Sequence, residues 1–177
     1  MDFDFIKDSD LRKKIEGAVE YIYASYEESK KKDKSELYQT ETFRVIILYT
    51  ISIIEAVLFD IYHQQGKRLV KEEYKETTSL PEEYIHTKVE NGRVAIVVVK
   101  KVEKSEIEIG FQELVKFLEK EKVLHKETAI RMLKANNVRN TLHLRKERAP
   151  VCTVQEVEHA LELLFHTLQN APRFIKK

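Results

Sequence analysis

The chain is poor in residues that break or cross-link a backbone. Its 177 residues include four glycines, three prolines and one cysteine. So few glycines and prolines favour long helices joined by few tight turns. A lone cysteine, Cys152, excludes an intrachain disulfide framework and fits a reducing cytosol. No partner pattern marks it as a nucleophile. An excess of either charge is also missing, since 31 basic and 30 acidic side chains leave a formal net charge of +1. Any nucleic-acid footprint must therefore come from local clustering. The amino terminus, MDFDFIKDSD, lacks the basic-then-apolar layout of a secretory signal. An unbroken apolar run of bilayer length is lacking too. The nearest approach, Val45 to Tyr62, is interrupted by Glu55 and Asp60, which favours a buried central helix over a membrane span. These features together predict a cytoplasmic protein with no membrane partner.

What the chain does have is 34% charged and 42% hydrophobic residues, the mix of a globular fold with a heavily charged surface. Its length suits one domain over residues 1–177. Leu11, Ile15, Val19, Ile22 and Tyr26 recur every three or four positions. That spacing predicts a helix from about Ser9 to Lys31, capped by Asp8 or Ser9. After the charged turn ESKKKDKSE, a second helix is predicted from about Ser35 to Gln65, stopping at Gly66. It is apolar nearly all round between Phe43 and Tyr62, so it needs neighbours on several sides. The texture then changes. EEYIHTKVENGRVAIVVVKKV reads as two strands joined by Asn91-Gly92, the dipeptide of a two-residue type I′ turn. The resulting β-hairpin insert, at about 83–102, has to pack on helices or lend its edge to another chain. Helical patterning returns in FQELVKFLEKEKVL and again from about Lys126 to Lys146. A last helix, TVQEVEHALELLFHTLQNA, opens with a Thr153–Glu156 capping box. The expected fold is mainly α, a bundle of about five helices carrying one β-hairpin.

The stretch NNVRNTLHLRKER, Asn136 to Arg148, is the most chemically loaded. On a helical wheel Ile130, Leu133, Val138, Leu142 and Leu144 share one broad side. Arg139 and His143 fall on the other, flanked by Asn136 and Lys146, with Asn140 at the border. The expectation is a helix that buries its aliphatic side and presents an Asn-Arg-His-Lys stripe to water. Such a stripe holds what cleavage of an RNA phosphodiester needs. Histidine transfers protons near neutral pH. Arginine offers a permanent charge and a forked donor set matched to phosphate. An asparagine amide can hold a phosphate oxygen or the imidazole ring. No carboxylate and histidine cluster stands at metal-ligand spacing, so neither metal nor other cofactor is expected. The plain alternative is an ordinary wet helix face. Arg145, Lys146 and Arg148 are either a solvated helix end favoured by the macrodipole or a phosphate-contacting rim. Glu55, inside an apolar helix, must reach the surface or find a partner. Three partners are open to it: Arg44 on its own helix, an arginine elsewhere, or Arg139, which it would then orient.

VRNTLHLRK resembles the motif of the HEPN superfamily, in which an arginine, a polar residue and a histidine sit late in a helical bundle. ILYTISIIEAVLFDIY is similar to that family's early core helix, where one glutamate interrupts an apolar run. Many members are metal-independent endoribonucleases of toxin–antitoxin, abortive-infection and CRISPR-linked defence. The resemblance implies a homodimer acting on RNA, with two motif copies facing each other across a cleft and a cognate antitoxin protein as a further partner. Arg139, Asn140 and His143 would be catalytic, Glu55 supporting, and Asn136, Arg145, Lys146 and Arg148 RNA-binding. The chain departs from the family in its β-hairpin insert, which is not part of the core family pattern, and in two places within the motif. Only three residues separate Arg139 from His143, fewer than is usual, and Arg145 stands where a tyrosine is common. Two other readings use the same features. One is a non-catalytic HEPN-like module that binds RNA or protein through the stripe. The other is an interaction protein that pairs through its hairpin edge.

Overall fold

A helix that is apolar nearly all round needs neighbours on several sides, and α2, Glu36–Gln64, has them, leaving a narrow wet stripe through Tyr49 and Ser52. In the computed structural model the described residues are 3–76, 86–90, 93–142 and 152–175, excepting the side chains of 74–76, 86–90 and 93–98. Helices α1 (Ser9–Ser29), α3 (Phe111–Lys120), α4 (Lys126–Thr141) and α5 (Val154–Phe174) all contact α2. Ile46, Ile51, Ile54, Val57, Leu58 and Ile61 on α2 are all fully buried. By length and composition α2 would also cross a membrane, yet 61% of its most apolar window is buried within the fold. The five helices and a small antiparallel sheet make the chain mainly α.

The helix ends follow their capping chemistry. Asp8 accepts from the Asp10 and Leu11 N–H groups at the start of α1, and the Ser35 hydroxyl accepts from Tyr38 N–H on α2. At α5 the Thr153 hydroxyl accepts from Glu156 N–H at 3.3 Å, while the Glu156 carboxylate accepts from Thr153 N–H at 2.9 Å. Two orphan donors of the first turn are thereby satisfied. Thr153→Ala is therefore expected to lower unfolding free energy by about 1 kcal/mol, read as an earlier urea midpoint, with Thr153→Ser retaining most of it.

The chain divides into two compact units, residues 1–66 with 110–177, and residues 67–109. The first holds the five helices. The second holds β1 (Val70–Glu76), β2 (His86–Glu90) and β3 (Arg93–Glu103) in the antiparallel order β1-β3-β2. Pairing of Glu90 with Arg93, Val89 with Val94 and Thr87 with Ile96 is the register of a two-residue connection. Asn91 and Gly92 themselves lie outside the described residues.

The insert is larger than the expected hairpin at 83–102, because β1 adds a third strand. VKEEYKE carries no apolar alternation to announce it. Its pairing with β3 sets Glu72 opposite Lys101 and Glu73 opposite Lys100, and opposite charges facing across strands favour that register. The apolar, β-branched β3 becomes the central strand, with β1 on one side and β2 on the other.

Candidate functional site

Helix α4 is turned differently from the wheel expectation. Thr128, Ala129, Met132 and Asn136 are its buried residues, whereas Ile130 is 44% exposed. Spacings of three and four place these inward residues on one stripe, and the next position along it is Arg139. Asn136 is only 4% exposed, so it does not join a water-facing RNA stripe as expected. The wheel counted aliphatic side chains and sent the polar ones outward. Near the carboxyl end of α4 that logic fails, because a charge on the neighbouring helix makes an inward arginine favourable.

That charge is Glu55. The Arg139 Nη1 donates to Glu55 Oε2 at 3.3 Å, joining α4 to α2. Both side chains are about one-quarter exposed, at 25% and 26%. Arg44, the other named candidate for Glu55, donates instead through Nη1 to both carboxylate oxygens of Glu41, at 2.8 and 3.0 Å. Glu55 therefore meets the need of a carboxylate in an apolar helix by pairing across the bundle while keeping partial contact with solvent. Only one of the guanidinium's several N–H donors is engaged among the described residues, so the remainder can meet a phosphate. Asn140, the next residue, is half-buried.

The last turn of α4 closes with the Leu142 N–H bonded to Arg139 C=O and the Thr141 hydroxyl donating to Val138 C=O. A cation in this turn also complements the negative end of the helix dipole. His143, Arg145, Lys146 and Arg148, together with Leu144, lie outside the described residues. The structure thus brings together Glu55 and Arg139, leaves Asn140 half-buried at the next position of α4 and removes Asn136 to the interior.

Cys152 is buried. Burial pushes its thiol pKa up, the Glu156 charge adds to the shift, and Arg44 opposes it. A thiol held protonated in this way is a poor nucleophile at neutral pH. No group of three or more His, Cys, Asp or Glu side chains is placed to hold a metal ion among the described residues.

A second face of α4 borders a groove of about 320 Å³ between α2, α4 and α5. Arg131 and Lys134 stand on it one turn apart, with His159 of α5 also at the lining. The sequence reading singles out neither cation, although RMLKANNV carries the one-turn spacing, and it takes His159 for a surface or core histidine. Turning Ile130 and Leu133 inward on paper hid the face that these cations share. Compared with family models, curated proteins and solved structures, the chain matches none.

Proposed function

We propose that the protein is a HEPN-like, metal-independent endoribonuclease that works as a homodimer, and that a cognate antitoxin protein restrains it. The carrying observation is the Glu55–Arg139 contact. These residues stand 84 positions apart, each in one of the two segments that resemble the family, and their side chains meet at 3.3 Å. A generic wet helix face gives no reason for its arginine to turn inward onto that particular carboxylate.

In the proposed reaction the 2′-hydroxyl loses its proton to a base and its oxygen bonds to the adjacent phosphorus. The bond from phosphorus to the 5′-oxygen breaks, and that oxygen takes up a proton. The products are a 2′,3′-cyclic phosphate and a 5′-hydroxyl. His143 suits the proton transfers. One imidazole cannot be base and acid at the same moment, so two copies in a dimer supply one of each. Arg139 stabilises the charge gathering on the phosphoryl oxygens, and Asn140 positions the phosphate. Glu55 acts through Arg139 as a positioning residue. Arg145, Lys146 and Arg148 bind flanking phosphates, which gives affinity without sequence preference.

The test incubates total RNA with wild type and with His143→Ala, both with excess chelator. Wild type is expected to cut and leave cyclic phosphate ends, and the variant to be slower by about 10²–10⁴-fold. Equal cutting by both proteins, or none by wild type, rejects the assignment. RNA binding that weakens with salt and with Arg139→Ala, without scission, would identify a binding module instead.

A further inference from the structure

The groove between α2, α4 and α5 combines three kinds of surface. Ile47, Ala135, Val138 and Leu163 make it apolar, and Arg131 and Lys134 add two cations on the α4 side. Lys134 has no ion pair among the described residues. Arg131 reaches Glu162 at 3.6 Å, but those side chains are 46% and 67% exposed, so water and a competing anion displace the pair readily. On the α5 side stand His159 and Glu156. The Glu156 Oε2 serves the Thr153 cap, and Oε1 makes no hydrogen bond among the described residues, which leaves it as an acceptor.

Position connects this groove to the candidate site. Ile47 precedes Glu55 by eight residues on α2, and Arg131 precedes Arg139 by eight on α4. Eight helical residues span about 12 Å, and Val138, at the near end, is the residue before Arg139. A strand bound at Arg139 and running back along α4 meets the groove directly.

We propose that the groove seats one unpaired base of the RNA strand held at Arg139, with Arg131 and Lys134 binding the phosphates that flank this nucleotide. This rests on the reading of the protein as an RNA-acting enzyme and adds a subsite to it. A flat base covers the aliphatic floor, its edge offers donors to the Glu156 carboxylate, and the phosphates match the cations. A helical peptide fits less well. It needs anchor pockets over two or more turns, whereas about 320 Å³ lies at the small end of the range for single-ligand sites.

The test measures binding of a fluorescein-labelled, random-sequence RNA hexamer to the full chain by anisotropy, with probe integrity checked on a gel. Ala135→Leu narrows the groove and is expected to weaken binding roughly ten- to hundredfold. Arg131→Ala combined with Lys134→Ala is expected to make the log–log salt dependence shallower by about 1.4, two phosphates at about 0.7 each. Lys116→Ala with Lys120→Ala on α3 removes as much charge elsewhere and is expected to change neither. Circular dichroism melts confirm that each variant is folded. The groove assignment is overturned if the folded groove variants bind like wild type, if the α3 control weakens binding equally, or if wild type does not bind the hexamer. If groove variants lose binding while no protein cleaves RNA, the subsite stands and the endoribonuclease reading fails. If His143→Ala alone stops cleavage and groove variants bind normally, the subsite fails and the enzyme stands.

Discussion

Arg139→Ala is expected to lower kcat/KM for RNA cleavage by about 10²–10³-fold, the usual loss when one transition-state donor is removed. Its stability cost should be far smaller. The Glu55–Arg139 contact is a single 3.3 Å bond between side chains one-quarter exposed. A fully buried pair broken on one side costs about 3–5 kcal/mol. Partial exposure brings this one down to about 1–2 kcal/mol, near the value of a hydrogen bond to a charged group. Activity per folded molecule and stability are thus predicted to separate by an order of magnitude.

Glu55 extends the same test. Glu55→Ala is expected to lower kcat by about tenfold while leaving KM nearly unchanged, because a misdirected arginine still attracts RNA but no longer meets the reacting phosphate well. Glu55→Gln keeps an acceptor for the Nη1 donor and should recover most of the lost rate. Arg139→Lys keeps the charge without the fork and should recover little. A different pattern would make the pair purely structural. In that case both alanine variants unfold earlier, a double-mutant cycle gives a coupling of about 1 kcal/mol, and cleavage per folded molecule is unaltered.

Leu58→Ala is expected to destabilise the protein by about 2–5 kcal/mol, through lost transfer energy and the cavity left behind. Leu58 has no exposed surface, and its helix packs on the other four. At this chain length each kcal/mol lowers the midpoint of thermal unfolding by about 2–4 °C. Tyr23, at 57% exposure, is the contrast: Tyr23→Ala should stay within about 0.5 kcal/mol of wild type. The loss should also register in the candidate site, since Leu58 and Glu55 lie one turn apart on α2. A Leu58→Ala variant as stable as wild type would mean that α2 is not the packed centre of a helical bundle.

Several elements are legible in the sequence alone. The apolar girth of α2 demanded neighbours on several sides, and α1, α3, α4 and α5 supply them. The Thr153–Glu156 spacing specified a capping box that is present. The two strand-like runs around Asn91-Gly92 pair in the two-residue register. These are local signals, in which a helix period, a cap or a turn residue acts over a few positions and needs little from the rest of the chain.

Strand β1 was not legible, because VKEEYKE has no apolar face and becomes a strand only when the edge of β3 stands beside it. The rotation of α4 was hidden for a related reason. Aliphatic counting sent Ile130 inward and Asn136 outward, and the structure does the reverse. A helix with aliphatic residues on two sides has no single inward face of its own, so the decision falls to what it meets. On α2 it meets Glu55, a carboxylate whose partner was open among Arg44, Arg139 and an arginine elsewhere as long as only spacing was considered. The sequence by itself determined that a charge in an apolar helix must reach water or be matched. Only the packing of α4 on α2 decided that Arg139 matches it, because Arg44 already has Glu41 one turn away on its own helix.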